Sequence, residues 1–310
     1  QQETFTAYIN RLDPKTSAVC PLCAYTKPSV AGRFAGRTYR RCPRCGTLYM
    51  NRSAPPDIQY TEAYFFENYK KQYGKTYLED FPNLAMMARR RLAVIKTLTG
   101  SHSGRHLLDI GCAYGAFAAV ARGEGFECVG IDSSGEAVNY ARDKLHIEAF
   151  EGFFPEDSLE QKMSVPLTRK FDVISLWYVI EHFETALAVG GGSAIKTALE
   201  KIHGLLNSGG ILAFSTPNLR GISGRISPRQ FLEKSPADHW TIWSERSVKK
   251  VLPRFGFAVK KTVITGHHPE RFPFCSRLTP RSFMYKAVMA LSKIFSLGDT
   301  FEVYAEKLNR

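Results

Sequence analysis

Four of the seven cysteines stand in two pairs, Cys20-Pro-Leu-Cys23 and Cys42-Pro-Arg-Cys45, with eighteen residues between them. A C-x-x-C turn delivers two thiolates to one side. A hairpin joining two such turns closes a tetrahedron of four soft ligands, the coordination that zinc takes in structural sites. Four thiolates leave no open position on the metal, so this ion is expected to staple a small hairpin that could not fold alone. The other three cysteines, Cys112, Cys128 and Cys275, are scattered. An odd count with this clustering argues against a disulfide framework and for metal in a reducing compartment, with the cytoplasm as the expectation.

The second chemical signal is a glycine turn with an acid beside it: Asp109-Ile-Gly111-Cys112-Ala113-Tyr114-Gly115. It closes an apolar run and opens a helical stretch, the strand–turn–helix geometry of dinucleotide-binding folds. Its spacing is G-x-x-x-G, which leaves a pyrophosphate cradle incomplete. Asp109 would repel a pyrophosphate and attract a ligand bearing an ammonium and a sulfonium. Gly111 and Gly115 allow close backbone approach, and the helix start can receive a carboxylate. A second acid, Asp132, ends the next apolar run about twenty residues on, where it can accept hydrogen bonds from ribose hydroxyls.

These residues need a scaffold, and the pattern around them supplies one. Apolar runs at 106–110, 127–131, 147–150, 171–177 and 210–215 alternate with helical stretches at 113–122, 136–144 and 193–206. Such alternation predicts an α/β, Rossmann-like, doubly wound parallel sheet covered on both faces. A helix is expected over 83–99, with Arg89–Arg91 facing away from the core, and another over 244–254 after a loop. Two last strands, 257–265 and 300–307, flank an amphipathic helix at 283–297. The organisation reads as a zinc ribbon over 1–55, an aromatic connector or lid over 56–82, and the main domain over 83–310. In the lid, Tyr64 and Phe65 are the residues expected to close over a cofactor.

With Phe171-Asp172, Val179-Ile-Glu181-His182-Phe183 and Leu205-Leu206-Asn-Ser-Gly209-Gly210, the chain resembles class I S-adenosylmethionine-dependent methyltransferases over roughly 83–265. It is similar to the branch holding ubiquinone-type O-methyltransferases and sugar-modifying enzymes of glycan gene clusters, some with an N-terminal zinc-binding segment. The resemblance implies a seven-stranded sheet of order 3-2-1-4-5-7-6 with the last strand antiparallel. It implies S-adenosylmethionine as cofactor, with the methionine moiety at Asp109, Gly111, Cys112, Ala113 and Gly115, the ribose on Asp132, and Ser133 and Phe153 near the adenine. Trp177 and Tyr178 would line the sulfonium side, where aromatic faces suit a cation.

Methyl transfer is an in-line displacement at an already activated methyl, so the protein must align donor and acceptor and, for a hydroxyl or acidic carbon, remove a proton. His182 and His239 are the candidate catalytic residues, each a base or substrate ligand, with a helix cap and a hydrogen-bonded loop histidine as the competing structural roles. No Asn-Pro-Pro-Tyr-like motif follows strand four, which tilts the expectation to oxygen or carbon as the methylated atom. The net charge of +13 points to an anionic partner. Three functions follow: methylation of a small-molecule, sugar or lipid-intermediate acceptor; RNA methylation with the ribbon arginines on the phosphate backbone; or a non-catalytic interaction protein. No apolar run is long enough to cross a membrane. The stripe on the 283–297 helix leaves peripheral membrane or subunit contact open, as well as packing on its own domain.

Overall fold

A computed structural model describes residues 19–52, 67, 69–100, 104–155, 170–184 and 193–309. Three strands lead, β1 (Ser29–Phe34), β2 (Arg37–Arg41) and β3 (Leu48–Arg52), followed by the short α1 (Tyr69–Tyr73) and the long α2 (Phe81–Thr99). The alternation then runs β4 (His106–Ile110), α3 (Ala116–Gly123), β5 (Glu127–Asp132), α4 (Gly135–Leu145), β6 (Glu148–Glu151), β7 (Phe171–Trp177), α5 (Ala194–Leu205) and β8 (Leu206–Pro217). Beyond it come α6 (Ile222–Ile226), α7 (Pro228–Lys234), β9 (Thr241–Ile242), α8 (Glu245–Val251), β10 (Phe257–Thr265), α9 (Phe283–Ile294) and β11 (Thr300–Lys307).

The main sheet has seven strands in the order β6-β5-β4-β7-β8-β11-β10, and β11 runs antiparallel to both of its neighbours. This is the expected 3-2-1-4-5-7-6 order. Leu107 and Val173 turn to one face, where they meet Ala88, Leu92 and Ile95 of α2 and Phe117 and Ala121 of α3. Leu108, Ile110, Ile174 and Leu176 turn to the other, against Ile195, Leu199 and Ile202 of α5 and Val248 and Val251 of α8. Burial on both faces explains why these strands read as continuous apolar runs. Local signals set the helix starts. Ser134 caps α4 by accepting from Ala137 N, and Ser244 and Ser247 form a reciprocal capping box on α8.

The structure departs from the sequence reading in two places. Arg91 does not face away: it is buried, and its Nε donates to Glu302 Oε1 at 2.8 Å. It falls three residues after Ala88 and one before Leu92, on the apolar side of α2, where an ion pair to β11 makes burial of its charge tolerable. The stretch between β8 and α8, expected as a loop, holds α6, α7 and β9. Helices of five and seven residues are too short to show a period. β9 also completes a second sheet of order β1-β2-β3-β9, pairing Ile242 with Leu48 and Thr241 with Tyr49. The hairpin carrying the cysteine pairs is therefore built into the main domain.

Candidate active site

Asp109, Asp132 and His182 lie at or just beyond the carboxyl ends of the parallel strands β4, β5 and β7. Gly111 follows β4 with φ of +70°, and a Cβ there would come within 2.3 Å of Val179 Cγ2. The glycine thus lets the loop after β7 close directly over the turn. Ala113 Nα donates to Asp132 Oδ2 at 2.8 Å and Ser134 N to Oδ1 at 2.9 Å, tying the end of β5 to the same turn. Asp109 is buried and accepts from Ser175 Oγ at 2.6 Å. Burial pushes its carboxyl up to about 7, against the pull of Ser175 and the charge of Arg91. Asp132 also moves upward through burial, although the amides of Ser134 and Ala113 oppose the shift.

Two buried carboxyls around a glycine turn make a pocket that favours a cation, and such a donor set fits the ammonium, sulfonium and ribose of S-adenosylmethionine. Cys112 is buried beneath the turn, and Gly115 begins α3 with φ of +80°. Ser133 is half-buried, whereas Phe153 stands out in solvent at 63% exposure. Tyr64 and Phe65 lie outside the described residues. The described part of the connector does reach the turn. Tyr77 packs on Tyr114 with ring centroids 5.5 Å apart, and Leu78 joins the cluster around Ala113 and Ala137. Burial raises the Tyr77 phenol, and the charges of Asp109 and Asp132 raise it further. The aromatic density of the sequence was the signal for this cover.

Trp177 changes role. Its ring meets Phe117 edge-on at 4.9 Å, and the Arg91 guanidinium sits over its face at 4.1 Å. The last residue of β7 points to the α2–α3 side, so the cation on that ring is the protein's own. Tyr178 is half-exposed with φ of +60°, and its N–H donates to Ser215 O at 3.1 Å.

His182 ends the turn Ile180–His182 after β7, and its Nδ1 lies 2.9 Å from Asp238 Oδ2. Burial lowers the basicity of this imidazole, but the hydrogen bond and charge of Asp238, with the charge of Glu181, outweigh it and the net shift is upward. The ring of His239 stands edge-on to His182 at 4.8 Å. Burial, then the neighbouring His182, drives its pKa down to about 3. Glu181 is buried beside Thr216, and burial raises it to about 7 against the opposing charge of His182. Ligand atoms of Glu181, His182 and His239 all lie within 4.8 Å of one another, a spacing that could hold a cation between them. The structure brings both predicted histidines together. Sequence reasoning missed Asp238, although an acid directly before His239 was its visible signal.

The Asp238–His239 loop is held by the N-terminal sheet. Tyr39 Oη donates to His239 O at 3.2 Å, and Met50 N to Trp240 O at 2.8 Å. Arg37 donates to the carbonyls of Leu232, Glu233, Ser235 and Pro236 at the end of α7. One of the ribbon arginines expected on a nucleic-acid backbone is thus spent inside the fold. Cys20, Cys23, Cys42 and Cys45 are buried with their sulfurs within 4.8 Å of one another, at 3.7 Å for Cys20–Cys45 and 3.4 Å for Cys23–Cys42. Tetrahedral thiolates at about 2.3 Å from a metal lie about 3.8 Å apart, so the four can hold one ion.

The fold and the acid-flanked glycine turn define the class of S-adenosylmethionine-dependent methyltransferases. The family model described as a methyltransferase domain matches residues 82–262, and the chain belongs to that family. A curated relative, the ubiquinone biosynthesis O-methyltransferase of Glaesserella parasuis, is 30% identical over 143 residues, 45% of this chain and 56% of the relative. Its counterpart in Actinobacillus pleuropneumoniae is 25% identical over 141 residues, 44% of this chain and 56% of the relative. The chain thus spans a little over half the length of the curated relatives it matches. Among solved structures, a SAM-dependent methyltransferase from Archaeoglobus fulgidus aligns with 78% of this chain and 100% of its own at a TM-score of 0.51 and 17% identity, a likeness of fold.

Proposed function

We propose that the protein transfers a methyl group from S-adenosylmethionine to an oxygen or carbon of a small-molecule, sugar or lipid-intermediate acceptor, with His182 as the base. The cofactor, when bound, supplies a methyl on positive sulfur. Asp109 would hold its ammonium, the amides after Gly111 its carboxylate, and Asp132 its ribose. The observation that carries the reading is the Asp238–His182 pair on a loop whose Val179 rests on Gly111. A carboxylate on Nδ1 fixes the tautomer and leaves Nε2 as the basic atom, aimed by the fold and not by the substrate. His239, with its pKa near 3, is too weakly basic to take the proton and serves as packing against His182. The curated relatives named for ubiquinone O-methylation support oxygen as the acceptor atom. The cysteine cluster would hold zinc in a structural role, and four thiolate ligands suit a reducing compartment such as the cytoplasm.

His182→Gln keeps the volume and removes the base. The expected result is a fall in kcat of at least about a hundredfold with cofactor affinity unchanged. A variant that methylates an acceptor at the wild-type rate would remove His182 from the mechanism.

A further inference from the structure

We propose that α9 and the basic cleft beside it form a face that docks on an anionic phospholipid surface. This face stands apart from the methyl-transfer reading. On α9 and its C-cap, Phe283 is 83% exposed, Ile294 72% and the cap residue Phe295 62%, with Met284 and Leu291 also in solvent. Only Val288 and Ser292 turn fully inward. At 100° per residue the five exposed side chains fall in one arc of about 120°, adjacent to the face that packs on the domain. Phe274, at the preceding turn, is fully exposed as well. Large apolar side chains gathered in solvent mark an interaction surface.

The charge around them says which surface. Residues 272–298 contain no aspartate or glutamate, while Arg277, Arg281, Lys286 and Lys293 are all cationic. On the helix, Lys286 and Lys293 lie beside the apolar arc on its solvent side. At the other end of α9, Ser296 enters the wall of an open cleft of about 470 Å³ that gathers Arg220, Arg225, Arg246, Lys249 and Lys250. Ser296 follows directly on the helix end, and beside it Leu297 O accepts from Ile222 N at 2.9 Å, which ties this end to α6. Glu245, the one acid among the described residues that line the cleft, is engaged by Thr262 Oγ1.

An apolar stripe edged by cations is the signature of a helix lying in the plane of a lipid interface. Acyl chains take the phenylalanines and Ile294, and lipid phosphates meet the lysines and fill the cleft. The twelve residues of α9 reach about 18 Å, enough to lie on a bilayer and too short to cross one. No helix among the described residues is long and apolar enough to span. A second copy of the chain is the poorer occupant, because it would set two basic surfaces against each other.

The test is flotation of the full chain with phosphatidylcholine vesicles, plain or with about 30% phosphatidylglycerol. Binding is expected on the anionic vesicles and is lost at high salt. Phe283→Ser with Ile294→Ser, and separately Lys286→Glu with Lys293→Glu, each reduce partitioning at least about tenfold. All four side chains are exposed or intermediate in solvent, so the fold survives, and a thermal midpoint checks this. Arg142→Glu with Lys144→Glu on α4 makes the same charge change elsewhere and leaves binding intact. The proposal is overturned if the full chain ignores anionic vesicles at low salt, or if the α4 variant loses as much as the α9 variants. A dimer in sedimentation that the Phe283/Ile294 variant breaks, without vesicle binding, would assign the face to a second copy instead.

Discussion

The two halves of the candidate active site are held by opposite means. At the cofactor end, Asp109, Gly111, Ala113 and Asp132 lie within twenty-four residues; the Ala113 and Ser134 amides on Asp132 are local links, and Ser175 reaches Asp109 from the adjoining strand β7. At the acceptor end, His182 meets Asp238 from fifty-six residues away, and that loop is tied by Tyr39 and Met50 about two hundred residues upstream. One half is a turn that folds with its own strand pair. The other is a junction between two sheets. Damage to the N-terminal sheet should therefore reach acceptor chemistry and leave cofactor binding alone, and damage to the turn should do the reverse.

The largest expected effect breaks the cofactor half. Asp109→Asn keeps an oxygen for Ser175 Oγ and removes the negative charge that would meet an ammonium. Loss of a charged hydrogen bond in a buried site costs about 2–3 kcal/mol, so cofactor affinity should fall roughly a hundredfold in calorimetry. Stability moves the other way. Burial raises Asp109 to about 7 in the folded chain, so its ionisation opposes folding as pH rises to that value. At pH 8 the thermal midpoint of the variant should not drop. A lower midpoint with unchanged affinity would show that Asp109 holds the fold and not the cofactor.

Next in size is the loss of the cysteine cluster. Cys42→Ser takes one thiolate from a buried four-sulfur group, and a chelator would withdraw the ion it holds; either unlocks the hairpin on which β9 pairs. Turnover should fall at least about tenfold while cofactor affinity stays within about twofold, since the ties to Tyr39 and Met50 loosen together. Equal losses of turnover and cofactor affinity would erase the distinction between the halves.

This same division explains what could be read in advance. The cofactor turn was legible because its chemistry is contiguous: an apolar run, an acid, two spaced glycines and a second acid at the next strand end. The alternation of runs announced a parallel sheet covered on both faces, and the strand order followed from the resemblance alone. The acceptor side is made of long-range pairings that leave no period in a single sequence. β9 is two residues long, and nothing in Thr241–Ile242 announces a partner at Leu48 and Tyr49. Arg91 was misplaced because a charge triplet hides one member on the apolar side of α2. Asp238 needed the fold to bring it to His182, and Phe153, picked by position after β6, proved solvent-facing.

A pH series sharpens the cofactor half further. Asp109 in the free protein titrates near 7, and a cationic ligand requires its ionised form. Affinity should fall roughly tenfold from about pH 8 to pH 6, with Asp109 releasing its proton on binding at the lower pH. Asp109→Asn should show no such limb. A wild-type profile that is level across this range would mean that the ligand does not address this carboxylate.

The smallest effect is also the most selective. Tyr39 is buried in the N-terminal sheet, and its hydroxyl donates to the carbonyl of His239 at 3.2 Å. Tyr39→Phe keeps the ring in its cluster with Leu232 and Trp240 and removes one neutral hydrogen bond. That costs about 1 kcal/mol, a midpoint shift of about 2 °C. The companion change is Tyr304→Phe, which removes an equally buried hydroxyl from Glu302 on the far side of the main sheet. If the N-terminal sheet positions the acceptor loop, the Tyr39 change lowers kcat/KM a few-fold and the Tyr304 change leaves it untouched, although Tyr304→Phe loses as much stability or more. Matching losses of activity in both would mean that turnover follows stability alone, and that the sheet junction has no particular hold on His239.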